Sequence, residues 1–158
     1  MIIRKIEKED NVAIAKVIRT VLIEHNVPKV GTAYADPQLD SMFETYSVPK
    51  AAYFVVENQG EILGGAGVSQ LENEDASICE LQKMYFLPEA RALGLGSKMM
   101  ERCIQSAKDF GYKKCYLETM PNMIAAQKLY KKFGFEYLCQ PMGNTGHTSC
   151  PVWMIKEL

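Results

Sequence analysis

The chain predicts an α/β (α+β) fold, a mixed and mainly antiparallel central sheet flanked by helices. Three observations lead there. Short apolar or alternating runs are interleaved with segments whose apolar residues repeat at three and four, so strands and helices intermix along the chain. Ala52–Glu57 and Glu61–Leu71 flank Asn58-Gln59-Gly60, which reads as a β-hairpin closed on a glycine turn. From Ser77 to Glu118 a strand, a glycine-containing turn, an amphipathic helix and a further strand follow in order, which makes the sheet mixed.

The elements follow in sequence. Ile2–Glu7 is an opening strand. Ile14, Val17, Ile18, Val21, Leu22 and His25 fall at helical spacing, and Pro28 and Gly31 end that helix. The stretch from Val27 to Ala35 reads as a loop, after which Asp36-Pro37 starts a short second helix carrying Leu39, Met42 and Phe43. In the strand Ser77–Leu87, alternation predicts Glu80, Gln82, Met84 and Phe86 on one face and Leu81, Lys83 and Tyr85 on the other. Beyond Gly96, the residues Met99, Met100, Cys103, Ile104, Ala107 and Phe110 form an apolar stripe opposite a solvated charged face, and Gly111 stops the helix. Lys113–Glu118 is a strand, Met123–Phe133 a helix, Phe135–Cys139 a strand, and Ser149–Lys156 a last strand with Pro151 near its start.

Length and composition narrow the function classes. With 158 residues, 47% of them hydrophobic, residues 1–158 are expected to be one domain around one core. A net charge of −1 gives no broad electrostatic footprint for nucleic acid, so no nucleic-acid partner is expected. The five cysteines are odd in number and include no C-x-x-C pair, which argues against a disulfide framework and a zinc site, and no metal is expected. No long apolar segment stands out as a signal peptide or membrane span, so a cytoplasmic protein without a membrane partner is expected. A homodimer stays open.

The residues that could carry chemistry cluster in the middle of the chain. Arg91-Ala92-Leu93-Gly94-Leu95-Gly96-Ser97 follows the apolar run Met84-Tyr85-Phe86-Leu87 and opens a helix. Glycines let backbone amides come close to a ligand, the helix start supplies free N–H donors, and an arginine fork suits phosphate oxygens, so this turn is built to hold a pyrophosphate. A tight strand-to-helix turn is the plain alternative. Glu80 sits in a strand that otherwise reads as interior, where a carboxylate must be paired, hydrogen-bonded or neutral. Either it is a base with a raised pKa, or it is an ion-pair partner of Lys83 or lies on an exposed strand edge. Tyr130 lies four residues after Ala126, so the phenol and the small alanine share one helix face across which a ligand could lie.

An apolar strand, R-x-x-G-x-G, an amphipathic helix, a short strand, a second helix with Leu129-Tyr130, and then Gly134-Phe135 together resemble the GCN5-related N-acetyltransferases, most strongly from Cys79 to Leu138. The resemblance implies acetyl-CoA as co-substrate, with its pyrophosphate on the turn from Arg91 to Ser97 and its pantetheine arm paired with the backbone of Met84, Tyr85 and Phe86. It also implies that Glu80 is the general base and that Tyr130 serves the departing thiolate. Gln82 would line the same pocket as Glu80. Many members carry an asparagine seven residues before the tyrosine, but Met123 stands there and the asparagine is Asn122, either a cofactor ligand or a helix cap. Tyr34 and His147 are the acceptor-site candidates, the latter in a turn-rich loop between the last two strands. The implied activity is direct acetyl transfer to a primary amine, of a small molecule or an amino acid. The alternatives are a non-catalytic acyl-CoA sensor, a protein or peptide N-acetyltransferase, and transfer through a cysteine.

Overall fold

The computed structural model describes residues 1–158. The strand-like runs become β1 (Ile2–Lys5), β2 (Ala52–Asn58), β3 (Glu61–Gln70), β4 (Ile78–Phe86), β5 (Lys114–Thr119), β6 (Glu136–Leu138) and β7 (Val152–Glu157). The helical segments become α1 (Asn11–Glu24), α2 (Met42–Tyr46), α3 (Leu95–Asp109) and α4 (Ile124–Lys132). One sheet holds all seven strands in the order β1-β2-β3-β4-β5-β7-β6. Every neighbouring pair is antiparallel except β4 and β5, which are parallel and joined through α3.

Both faces of the sheet are covered, which explains why Ala52–Val56 is an almost unbroken apolar run. Phe54 and Val56 pack with Met99, Met100 and Cys103 of α3, while Tyr53 and Val55 pack with Ile14, Ile18 and Leu22 of α1. The short helix expected after Asp36-Pro37 is in fact two pieces. The Asp36 side chain accepts a bond from the Gln38 amide at 3.1 Å and Pro37 fixes the first turn, giving a 3-10 turn over Pro37–Asp40. Ser41, at φ −137° and ψ 47°, then breaks the path before α2.

The regular alternation expected along β4 fails at Lys83. Gly65 pairs with Tyr85 and Gly67 with Gln82, so Lys83 and Met84 together stand opposite Ala66, and Lys83 has φ +50°. The extra residue reverses the side-chain parity beyond it. Met84 and Phe86 join Cys79 and Leu81 in the core under α3, whereas Tyr85 packs on the α1 side. Lys83 leaves the strand toward Asp36.

Two glycines and a tyrosine hold this bulge in place. A Cβ at Gly65 would lie 2.6 Å from Tyr53 Cε1 and 2.7 Å from the Phe54 carbonyl, and one at Gly67 would lie 2.5 Å from Tyr53 Cδ2. The Tyr53 ring fills the space both glycines leave, and its hydroxyl donates to the Lys83 carbonyl at 2.8 Å. Gly65→Ala should therefore lower stability by about 1–3 kcal/mol through overpacking. Urea unfolding reads this directly, and an unchanged midpoint would show that the ring does not need the space.

Candidate active site

Parallel pairing of β4 with β5 ends at Glu80 opposite Tyr116, while β5 stays paired with β7 along its whole length. From Leu81 onward β4 therefore has an unpaired edge, and an apolar cavity of about 420 Å³ opens beside it. Met84, Tyr85 and Phe86 line one wall, Arg91, Ala92 and Gly96 lie at the start of α3, and Asn122, Ala126, Leu129 and Tyr130 line the α4 side. Periodicity placed Ala126 and Tyr130 on one helix face, and both line this cavity. Burial pushes the Tyr130 phenol well above its usual range, so it stays protonated at neutral pH.

At the turn, Gly94 has φ +73° and forms the N-cap of α3, a conformation glycine adopts without strain. Leu93 is exposed, the Leu95 side chain is buried in the core, and the amides of Gly94, Leu95, Gly96 and Ser97 belong to the open first turn of the helix. At Gly96 a Cβ would come within 3.3 Å of Leu129 Cδ2, so the absent side chain lets α3 and α4 approach.

Arg91 does not present a free fork. Nη1 and Nη2 bind the Glu24 carboxylate at 2.6 and 2.7 Å, and Nε donates to the Phe86 carbonyl at 2.9 Å. Asn122 does not cap α4 either, since Met123 occupies that position. Its Nδ2 donates to the His25 carbonyl at 2.8 Å, tying the end of α1 to the start of α4 across the cavity.

On the other side of the bulge lies a polar cavity of about 580 Å³, lined by Glu80, Gln82 and Lys83 of β4, by Asp36, and by the loop carrying Asn144, Thr145 and His147. That loop, between β6 and β7, is fastened at several points. The Asn144 amide donates to the Glu72 carbonyl at 2.8 Å, Thr145 Oγ1 to Glu118 Oε2 at 2.7 Å, and the Ser149 amide to the Gly31 carbonyl at 2.9 Å. The loop and the Gly31–Asp36 segment are thus joined to each other, and both line the cavity.

Glu80 is 5% exposed, and it is not the ion-pair partner of Lys83. Its Oε2 accepts from Gln82 Nε2 at 2.6 Å, and Gln82 Oε1 in turn accepts from the Tyr46 hydroxyl at 2.6 Å. Both amide groups of Gln82 are therefore committed, and the carboxylate has a fixed orientation. Burial raises the Glu80 pKa above the ordinary glutamate value, against the opposing pull of Gln82, His147 and Lys83.

The Lys83 ammonium binds Asp36 Oδ2 at 2.8 Å, and His147 Nε2 lies 4.0 Å from the same oxygen. Burial works to raise Asp36, but His147, Lys83 and the Gln38 amide outweigh it and hold the carboxyl far below its usual range. Sequence reasoning missed Asp36 as a site residue, because its partner is 47 positions away on a strand whose parity is broken. Tyr34 does not line the cavity. Its ring lies against the Lys29 ammonium at 5.2 Å and packs toward the α1 core, whereas its neighbours Ala35 and Asp36 face the cavity.

The profile described as "Acetyltransferase (GNAT) family" matches residues 19–135. The uncharacterized N-acetyltransferase YjgM of Escherichia coli K12 is 44% identical over 158 residues, covering 99% of this chain and 95% of its own. A GNAT-family acetyltransferase from Staphylococcus aureus Mu50 superposes with a TM-score of 0.87 at 20% identity, over 99% of this chain and 98% of the other. The protein yncA of Salmonella typhimurium, solved with acetyl-CoA, gives a TM-score of 0.78 at 21% identity, over 99% of this chain and 93% of the other. The chain belongs to the GNAT acetyltransferase family and is, by class, an N-acetyltransferase. No helix is long and apolar enough to cross a membrane.

A raised carboxylate pKa carries a stability cost with a definite sign. Between the unfolded and the folded pKa the native state holds the Glu80 proton more tightly, so the cost is absent below the unfolded value, grows as pH rises and is full above the folded one. Glu80→Gln keeps the Gln82 contact and removes the cost. Its melting temperature should exceed that of the wild type at pH 7.5, and the gap should close below about pH 4, near the ordinary glutamate pKa. An equal loss at both pH values would show that Glu80 is held by favourable pairing instead.

Proposed function

We propose that the chain moves an acetyl group from acetyl-CoA directly to the primary amine of a small molecule or amino acid. One observation carries this reading. A buried, oriented carboxylate in a polar cavity and a protonated phenol in an apolar cavity lie on opposite sides of the break in β4 at Lys83–Met84.

The residues around the apolar cavity fit the co-substrate. The unpaired β4 edge suits an extended amide-bearing arm, and the first turn of α3 offers amides and a positive dipole end to a pyrophosphate. The acetyl-CoA complex of yncA, a protein of the same fold, supports the choice. When bound, acetyl-CoA supplies a thioester carbonyl open to an amine and a sulfur that departs as thiolate. Glu80 takes the proton of the acceptor ammonium, which a raised pKa favours, and passes it to solvent; the freed lone pair attacks the carbonyl, and the second N–H proton leaves by the same route as the C–S bond breaks. Amides near Met84 stabilise charge on the carbonyl oxygen, and Tyr130 donates to the departing sulfur.

A covalent relay through cysteine is disfavoured. Burial, with Glu118 and Glu80 nearby, pushes the thiol of Cys150, in the loop before β7, up to about 11. The thiolate needed for attack is scarce at neutral pH. Cys79, Cys103 and Cys115 are buried.

Two measurements test the assignment. Tyr130→Phe should lower kcat by about ten- to a thousandfold while leaving the KM for acetyl-CoA similar, because charge on the sulfur develops mainly in the transition state. Equal kcat, with chemistry shown to limit the rate, would make Tyr130 purely structural. For the wild type, kcat/KM should rise with pH through an apparent pKa above that of a free carboxylic acid, and Glu80→Gln should lose that limb while still binding acetyl-CoA. An unchanged pH profile in the variant would move the base elsewhere.

A further inference from the structure

We infer that the acceptor is a hydroxyl-rich primary amine without a carboxylate, of the amino sugar or amino alcohol class; this rests on the transfer reading above. The polar cavity, at about 580 Å³, is within the range of small-molecule sites. Only two of its lining residues, Ala35 and Val48, are hydrophobic, and the others include Gln38, Gln70 and Asn144 with their side-chain amides and Ser69 with its hydroxyl. An aryl or alkyl amine would strip water from these groups and return no hydrogen bonds, whereas hydroxyls both donate and accept.

Charge decides against an amino acid. Lys83 and His147 are the lining's basic side chains, and both face Asp36. The Lys83 side chain is 3% exposed with its ammonium 2.8 Å from that carboxylate, so its charge is already matched. A substrate carboxylate would find no free cation and would face Glu72 and Glu80. The ammonium of the acceptor meets the opposite situation, with Glu80 awaiting a proton. A simple diamine satisfies the charge but leaves the amide and hydroxyl groups unmatched along its methylenes. Asp36 is thus a specificity-determining residue, which removes Lys83 as an anion receptor.

The test compares matched amines by acetyl-CoA-dependent release of CoA thiol. Serinol and glucosamine should be acetylated with kcat/KM about tenfold or more above serine and glucosaminic acid, their carboxylate-bearing counterparts, and above putrescine and phenethylamine. If serine matches serinol, or if putrescine or phenethylamine is the best acceptor, the inference is overturned while acetyl transfer stands. If no amine releases CoA, the transfer reading falls and the inference falls with it. Asp36→Asn frees the Lys83 ammonium and should shift the serinol-to-serine ratio by about tenfold toward serine. A folded variant with an unchanged ratio would remove Asp36 from specificity.

Discussion

The hydroxyl of Tyr53 on the carbonyl of Lys83 is the contact on which the site depends. A residue with φ +50° inside a strand persists only where its surroundings over-determine it. Here Gly65 and Gly67 leave a slot, the Tyr53 ring fills it, and the phenol satisfies the carbonyl that the bulge turns out of the ladder. The consequences run in both directions along β4. Toward Ile78, Glu80 and Gln82 face the polar cavity, and toward Phe86 the parity reversal sends Met84 and Phe86 into the core, along the stretch where β4 has already parted from β5 and its edge is open. A single extra residue thus separates a polar from an apolar chamber on one continuous strand.

Ion pairing closes the chambers. Arg91 ties the turn before α3 to Glu24 at the end of α1, and Asn122 ties α4 to the same helix end. Asp36 does the same on the polar side, gathering Lys83 from β4 and facing His147 from the loop before β7. Three chain segments far apart in sequence meet at one carboxylate. Its strongly depressed pKa means that this tie holds above the ordinary aspartate range and weakens only when the carboxyl is protonated in strong acid.

How far the sequence reached depends on the range of each signal. Helical and strand periods are local, and they located every strand and the helices α1, α3 and α4 to within a few residues, along with Ala126 and Tyr130 on one face. The turn from Arg91 to Ser97 was legible because glycine, arginine and a helix start are adjacent in the chain. The split after Asp36-Pro37 was not, since a lone serine with unusual dihedrals ended the first turn. Alternation along β4 misled because it assumes an unbroken pleat, and the cause of the break lies in Gly65, Gly67 and Tyr53 on other strands. The partners of Arg91, Lys83 and Asn122 were equally hidden, because ion pairs and hydrogen bonds between distant segments follow no spacing rule along a chain.

Burial acts on Glu80 and Tyr130 with the same sign but with different chemical effect. Both groups become harder to ionise, which makes the carboxylate a better base and the phenol a weaker acid. A free thiol of the cysteine kind ionises near about pH 8.5 and an unperturbed phenol near about 10, so with Tyr130 pushed higher still, full proton transfer to a departing thiolate runs uphill. What the buried phenol can do is keep its proton and donate a hydrogen bond, which grows stronger as charge gathers on sulfur in a cavity with little competing water. Under the proposed transfer, then, net proton movement belongs to Glu80 and the polar chamber alone, and the thiolate leaves the apolar chamber to be protonated by solvent. The division of the strand by one bulge becomes a division of labour between a base and a hydrogen-bond donor.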